Sequence, residues 1–182
     1  MVGAIPKIVI VSGAGGQGKT RICQALVKLA KAQGLVVKGV LSPAVFTAGE
    51  KTAILVEDAS SGEQRELARV RQTGNEGDIQ TGHWTFDPDS MAWGSRILAE
   101  AGECGLLVVD ELGPLEFIQH KGWVEGLHAV DRRQYRLGAV VVRPALLEQA
   151  LALWPDAKVV KVEEPAGGIE EQAQEMLLYL VD

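Results

Sequence analysis

A glycine-rich segment near the start of the chain has the residue types that bind phosphate groups. Residues 13–20 read Gly-Ala-Gly-Gly-Gln-Gly-Lys-Thr and match the pattern G-x-x-x-x-G-K-[ST]. Glycine lets backbone N–H groups approach a phosphate closely, and the start of a helix adds a positive dipole end. We therefore expect this phosphate loop to bind a nucleoside triphosphate. The candidate binding residues are Gly13, Ala14, Gly15, Gly16, Gln17, Gly18, Lys19, Thr20 and Arg21.

Two side chains at the end of the phosphate loop have separate expected roles. Lys19 is expected to reach the β- and γ-phosphates and to offset their charge during catalysis. The Thr20 hydroxyl is expected to ligate Mg²⁺, because this ion prefers oxygen ligands and keeps several water molecules. The predicted cofactor is therefore Mg²⁺, bound jointly by the protein and by the phosphates.

Two acids follow an apolar run in the middle of the chain, where residues 106–111 read Leu-Leu-Val-Val-Asp-Glu. Ligands of parallel sheets bind beyond the carboxyl ends of the strands, so we expect these acids close to the phosphate loop, on a neighbouring strand. Asp110 is predicted to hold the magnesium ion, through water. Glu111 is predicted to orient and deprotonate the attacking water.

The residues after these acids have two interpretations. Gly113 and Pro114 force a turn. This turn is either an ordinary loop or a rigid wall on the γ-phosphate side of the site, with Glu116 as a further acid.

Triphosphate hydrolysis also gains from a cation that neutralises the charge developing on the γ-phosphate. Arg143 is the best placed candidate, since it directly follows a predicted strand over residues 137–142. The ordinary alternative is a solvated or salt-bridged arginine.

The elements that must position these residues alternate between strands and helices. Apolar runs predict strands at residues 7–11, 35–41, 106–110, 137–142 and 158–162. Helical spacing predicts helices at residues 19–33, 88–101, 124–132, 145–153 and 169–180. The alternation predicts an α/β fold, with a mostly parallel sheet and helices on both faces. We interpret residues 1–182 as a single domain.

Residues 42–80 interrupt this alternation. Short β-type segments at 45–46, 52–57 and 65–70 are separated by glycine-containing turns, which predicts an antiparallel excursion that forms an edge or a lid. The polar stretch 72–80 is predicted to be a mobile loop. Trp84 and the nearby Phe86 either stack on a base or pack in the core.

Composition sets limits on the class of protein. The chain has 182 residues, of which 47% are hydrophobic, and this suits one domain with a real core. A net charge of −6 argues against a nucleic-acid partner, because such partners need a basic surface. We expect no membrane segment, since no apolar run approaches the roughly 20 residues that a spanning helix needs. Two cysteines form no disulfide framework, so the cytoplasm is the expected compartment; the oligomeric state is left open.

The two motifs and the elements around them resemble the nucleoside-triphosphatase family described from thermophiles, a family of P-loop NTPases that also has vertebrate members. Residues 110–116, Asp-Glu-Leu-Gly-Pro-Leu-Glu, differ from the family's Asp-Glu-Ile-Gly-Pro/Lys-Met-Glu only by conservative apolar exchanges. The resemblance implies a three-layer, RecA-like core and Mg²⁺-dependent hydrolysis of ATP, GTP and other triphosphates with weak base selectivity. It implies phosphate, magnesium and water-activating roles for Lys19, Thr20, Asp110 and Glu111.

Three functions are compatible with these residues. The first is hydrolysis of the β–γ bond, with slow turnover because the sequence shows no water-orienting glutamine and no arginine finger. The second is a small kinase that passes the γ-phosphoryl group to a nucleotide or metabolite bound by residues 42–80. The third is a nucleotide-gated adaptor or cofactor-assembly protein whose lid changes order with the γ-phosphate.

Overall fold

Strands and helices alternate along most of the chain, as the sequence predicts. The computed structural model describes residues 5–70, 79–81, 84–162 and 168–180. The strands are β1 Lys7–Ser12, β2 Val37–Leu41, β3 Ala44–Thr47, β4 Glu50–Asp58, β5 Gln64–Val70, β6 Ile79–Thr81, β7 Trp84–Phe86, β8 Cys104–Leu112, β9 Tyr135–Val142 and β10 Lys158–Lys161. The helices are α1 Lys19–Ala32, α2 Pro88–Ala99, α3 Pro114–Phe117, α4 Val124–Asp131, α5 Leu147–Leu153 and α6 Ile169–Leu178, with a 3₁₀ turn at Pro144–Leu146. None of the helices in these ranges is long and apolar enough to cross a membrane.

The observed elements correct the sequence prediction in two places. Ile79 and Gln80 belong to strand β6, so the prediction of a loop over residues 72–80 is wrong for these two residues. Residues 72–78 lie outside the described part of the chain. Polar residues occur in such a strand because an edge strand needs no apolar run. The short helix α3 follows β8 directly, where the sequence predicted only a turn.

The parallel half of the sheet has the strand order β10-β1-β9-β8-β2. Each neighbouring pair in this half is parallel. The phosphate-loop strand β1 and the acid-bearing strand β8 are therefore not neighbours, contrary to the expectation, because β9 lies between them. This order puts Arg143, which follows β9, between the phosphate loop and Asp110-Glu111.

Helices cover both faces of the sheet and produce three layers. Alternate residues of β1 point to opposite faces, so that Ile8 and Val9 belong to different apolar cores. The core around Val9 includes residues of α1 and α6. The core around Ile8 includes residues of α2, α4 and α5. The α/β fold with a helix layer on each face is thereby confirmed.

The antiparallel half extends the sheet from the free edge of β2. Its order is β4-β5-β7-β6, and β3 pairs with β4. Leu41 at the end of β2 pairs with Glu57 near the end of β4. Because β4 runs antiparallel to β2, its earlier residues 50–56 extend past the carboxyl end of β2. The predicted excursion thus widens the sheet at its edge and also projects a β3–β4 hairpin beyond that edge.

Gly39 permits the close contact between β2 and β8. Its φ is +109°, a conformation that L side chains rarely adopt, and a Cβ atom there would collide with the carbonyl group of Val108. Gly39 and Val108 are partners in the parallel ladder. This contact fixes the register that brings the carboxyl ends of β2 and β8 together.

We predict that Gly39→Ala destabilises the protein by on the order of 1–3 kcal/mol from backbone strain, with a further cost from the contact with Val108. The measurement is the free energy of unfolding in urea. Gly102→Ala is the matched control, because a Cβ atom at Gly102 meets no heavy atom within 4 Å. Equal stability of the two variants would contradict this account of the β2–β8 contact.

Candidate nucleotide-binding site

The phosphate loop connects the end of β1 to the start of α1, which is the context that its motif requires. Gly16 and Gly18 have φ angles of +81° and +92°, in the left-handed region that favours glycine. Gly13 is needed for a different reason: a Cβ atom there would lie 2.5 Å from the carbonyl oxygen of Val162. The glycines therefore supply both the turn of the loop and its close packing against the end of β10.

Contacts within the loop fix two of its side chains. Gln17 Oε1 accepts a hydrogen bond of 2.6 Å from the N–H of Ala14. Lys19 is 7% exposed, and its Nζ donates to the carbonyl oxygens of Gly13 at 2.8 Å and Ala14 at 2.7 Å. An ammonium group has three donors, so these two bonds hold Lys19 over the loop and leave it one further donor.

The first turn of α1 carries the remaining predicted phosphate-loop residues. No side chain in the described residues caps this turn, so its first N–H groups are directed at the loop. Thr20 is half-buried, whereas Arg21 is exposed. Arg21 lines an open cavity of about 630 Å³ together with Gln24 of α1 and Glu170 at the start of α6.

Asp110 is buried at the carboxyl end of β8 and is 1% exposed. Burial raises the pKa of its carboxyl group to about 6, and the hydrogen bond from the Ser42 N–H opposes this rise. That N–H donates to Oδ2 at 3.1 Å, and the Ser42 hydroxyl donates to the Asp110 carbonyl oxygen. The Thr20 hydroxyl is close enough to lower the same pKa, although Oδ1 has no partner of standard hydrogen-bond geometry within the described chain.

Glu111 and Arg143 form an ion pair between the ends of β8 and β9. The Arg143 Nε donates to Glu111 Oε1. The Arg143 side chain is 63% exposed and that of Glu111 30%. The structure thus brings together Glu111, the predicted base, and Arg143, the predicted cation. Arg143 is also salt-bridged, as the alternative interpretation of this arginine expected.

The comparison with known proteins places this site in a family. A family model described as NTPase matches residues 8–165. The chain belongs to the NTPase family. A nucleoside-triphosphatase THEP1 of Ignicoccus hospitalis is 30% identical over 58% of this chain and 58% of its own length. The THEP1 of Hyperthermus butylicus is 33% identical over 59% of this chain and 57% of its own, so the chain spans less than two thirds of either relative.

Solved structures support the same fold. The solution structure of a human cancer-related nucleoside triphosphatase has a TM-score of 0.68 and 20% identity, over 94% of this chain and 95% of that chain. The crystal structure of THEP1 from the hyperthermophile Aquifex aeolicus has a TM-score of 0.64 and 14% identity, over 96% and 99%. These likenesses confirm that the sheet and its helices have the P-loop NTPase fold.

The residues at the site fit a divalent metal ion, which NTPases of this kind typically use. A buried carboxylate oxygen without a partner is costly, and Asp110 Oδ1 is such an atom among the described residues. The Thr20 hydroxyl beside it adds a second hard oxygen. The described part of the chain holds no group of three or more His, Cys, Asp or Glu that could bind a metal without the substrate. The ion would therefore depend on phosphate oxygens as well.

Glu116 shapes the turn after β8. Its Oε2 accepts a hydrogen bond of 2.8 Å from the Gly113 N–H, and its Oε1 accepts one of 2.8 Å from the Trp123 N–H. The side chain is buried, which raises its pKa, while these backbone bonds oppose the rise. Both carboxylate oxygens accept hydrogen bonds from backbone N–H groups of this segment, so Glu116 makes the segment rigid.

Sequence reasoning missed two residues that interact with the predicted site residues, Ser42 through hydrogen bonds to Asp110 and Lys51 through electrostatic coupling. Ser42 had a usable signal, since it directly follows the predicted strand 35–41, whose carboxyl end faces the site. Lys51 had none, because its position depends on how the β3–β4 hairpin folds. The charges of Glu111 and Arg143 both act on the pKa of Lys51. Its ammonium lies over the Trp84 ring, so Trp84 faces a cation of this chain.

We predict that Glu116→Ala destabilises the protein by about 2 kcal/mol or more, because it leaves two backbone N–H groups without their acceptors. The free energy of unfolding at neutral pH is the measurement. Glu103→Ala is the control, since Glu103 is exposed before β8, and it is expected to change stability by less than about 0.5 kcal/mol. A small effect at both positions would contradict the structural role of Glu116.

Proposed function

We propose that this chain is a nucleoside triphosphatase that cleaves the β–γ bond of ATP, GTP and other nucleoside triphosphates with Mg²⁺ as its cofactor. The observation that carries the proposal is the meeting of three groups at one sheet edge: the phosphate loop with Lys19, the Thr20–Asp110 pair, and the Glu111–Arg143 ion pair. Membership of the NTPase family and relatives named nucleoside-triphosphatase support it. Residues 1–182 act as one domain in this proposal.

Residues 13–21 bind the triphosphate. The loop N–H groups and the uncapped start of α1 accept the negative charge of the phosphates. The Lys19 ammonium exchanges its bonds to the Gly13 and Ala14 carbonyl oxygens for bonds to β- and γ-phosphate oxygens. Arg21, exposed beside an open cavity, lies on the side where a nucleoside meets solvent, which accords with weak base selectivity.

Thr20 would hold Mg²⁺ through its hydroxyl, and Asp110 would hold it through water. The ion would supply charge neutralisation to the bound phosphates. Ser42 fixes the orientation of the Asp110 carboxylate through its N–H, so that Oδ1 is the atom left for this role.

Glu111 acts as the general base. Arg143 holds Oε1, which leaves Oε2 to accept a proton from the attacking water. The water oxygen forms a bond to the γ-phosphorus as the bond from that phosphorus to the β–γ bridging oxygen breaks. The water proton passes to Glu111 and then to solvent, and the products are a nucleoside diphosphate and inorganic phosphate. Arg143 orients the base and offsets charge beside it.

We predict that the wild-type protein releases phosphate with a turnover below about 100 s⁻¹ and that Glu111→Gln lowers kcat by about 100-fold or more. The amide keeps the shape of the side chain but cannot accept the proton, so nucleotide affinity is expected to persist. Lys19→Ala is expected to lose affinity together with activity. Phosphate release from ATP and GTP, together with equilibrium binding, is the measurement.

Glu103→Gln is the matched control and is expected to keep wild-type kcat, since Glu103 is exposed and remote from the phosphate loop. The same assays include a panel of nucleosides and nucleotides as acceptors. Phosphorylated acceptor with little free phosphate would replace hydrolysis by a kinase activity. Tight binding without turnover would replace it by a nucleotide-gated adaptor.

We also predict that phosphate release requires a divalent cation and stops in EDTA. Asp110→Asn is expected to raise the Mg²⁺ concentration for half-maximal rate by about 10- to 100-fold, as loss of an outer-shell metal partner does. Asp89→Asn, in the exposed first turn of α2, is the control. An unchanged Mg²⁺ requirement in Asp110→Asn would remove Asp110 from the metal site.

A further inference from the structure

Lys51 lies on the part of β4 that extends past the edge of the parallel sheet. It is the second residue of β4 and follows the turn at Ala48 and Gly49, which have φ angles of +51° and +85°. Because Leu41 pairs with Glu57, this end of β4 lies beyond the carboxyl end of β2. The phosphate loop follows the carboxyl end of β1, and the acids lie among the last three residues of β8, at that same edge.

The β3–β4 hairpin is bent. Its ladder shifts register between Val45 and Phe46, and the β4–β5 ladder shifts between Ile54 and Leu55. Such irregularities bend a strand and increase its twist. The projecting end of β4, which carries Lys51, thus departs from a straight continuation of the strand.

The electrostatic surroundings of Lys51 connect it to the proposed active site. Lys51 is exposed at the surface, but partial desolvation lowers the pKa of its ammonium, and the charge of Glu111, the next largest influence, raises it. The charges of Arg143, Asp110 and Lys19 also act on this pKa. Lys51 is therefore electrostatically coupled to the groups of the proposed active site.

The Lys51 ammonium lies over an aromatic ring. Its Nζ is 5.0 Å from the centroid of the Trp84 ring, within the range of a cation–π contact. This contact favours one position of the charge and uses none of its N–H donors. Within the described residues, Lys51 has no ion pair and its side chain makes no hydrogen bond, whereas Lys19 is bonded to loop carbonyls and Arg143 to Glu111.

We propose that Lys51 is a catalytic residue whose ammonium contacts the γ-phosphate oxygens of the bound triphosphate and neutralises the charge that develops there during cleavage. The inference rests on the proposed function and assigns to the antiparallel hairpin the cation that other P-loop enzymes obtain from an arginine finger. A contact with the γ-phosphate alone also lets the hairpin distinguish a triphosphate from a diphosphate.

Lys51→Met tests this assignment, because methionine keeps most of the side-chain length and removes the charge. We expect kcat for ATP to fall about 100-fold, as for the loss of one donor to developing charge. Affinity for a non-hydrolysable ATP analogue is expected to fall about 10-fold, with affinity for ADP unchanged. Lys51→Arg is expected to recover part of kcat. Lys28→Met, on an exposed position of α1, is the control and is expected to match the wild type.

Trp84→Leu is a second variant that keeps the ammonium but removes its platform, and it is expected to lower kcat by less than Lys51→Met does. Wild-type kcat and analogue affinity in both variants would overturn the proposal. Equal weakening of ADP and the analogue in Lys51→Met would also overturn it, because the contact would not be with the γ-phosphate. If the wild type binds nucleotide but releases no phosphate, hydrolysis is excluded as the function. The affinities of Lys51→Met for the ATP analogue and for ADP still show whether Lys51 contacts the γ-phosphate.

Discussion

The buried carboxyl group of Asp110 is the point on which the three parts of the site depend. Ser42, where the chain leaves β2 for the antiparallel strands, donates its N–H to Oδ2 and its hydroxyl to the Asp110 carbonyl oxygen. The Thr20 hydroxyl approaches the same carboxyl group from the start of α1. A carboxylate that is 1% exposed requires such partners, because burial without them disfavours its charged form. Asp110 therefore couples β2, β8 and the phosphate loop, and a displacement of any one of them changes the surroundings of this charge.

Strand order determines which side chains surround that carboxylate. With β9 between β1 and β8, the residue after β9 lies between the phosphate loop and the acids, and that residue is Arg143. Its ion pair with Glu111 keeps the proposed base and a cation together without burying either fully. Such a pair at the surface contributes little to stability, so its effect is on the orientation of Glu111. Glu116 fixes the turn at Gly113, two residues after this acid.

The sequence predicted the parts of the site that depend on local conformation, and it failed where distant strands decide the outcome. The phosphate loop is readable because its glycines satisfy local constraints, such as the positive φ of Gly16 and Gly18. Asp110 is readable because it follows a buried apolar run, although the strand itself continues to Leu112. The insertion of β9 between β1 and β8 is a matter of long-range pairing, which motif spacing does not encode. The role of Glu116 was ambiguous in the sequence because one of its hydrogen-bond partners, the Trp123 N–H, belongs to a later segment. Lys51 was missed because the course of its hairpin depends on two irregular strand ladders.

The cations of the proposed site differ in what they give up when a phosphate binds. Lys19 exchanges two hydrogen bonds to carbonyl oxygens, so it gains only the difference between two charge-assisted contacts. Arg143 keeps its bond to Glu111 and orients that acid. Lys51 contacts the face of an aromatic ring, a contact of about 0.5–1 kcal/mol at an exposed site. Its N–H donors make no bond within the described residues, so a γ-phosphate oxygen would replace only water there, although its strand lies outside the parallel core. Because Ser42 ties the base of that excursion to Asp110, the hairpin that carries Lys51 and the carboxylate assigned to the metal are anchored to each other. The antiparallel strands are thus part of the proposed chemistry, as well as an extension of the sheet.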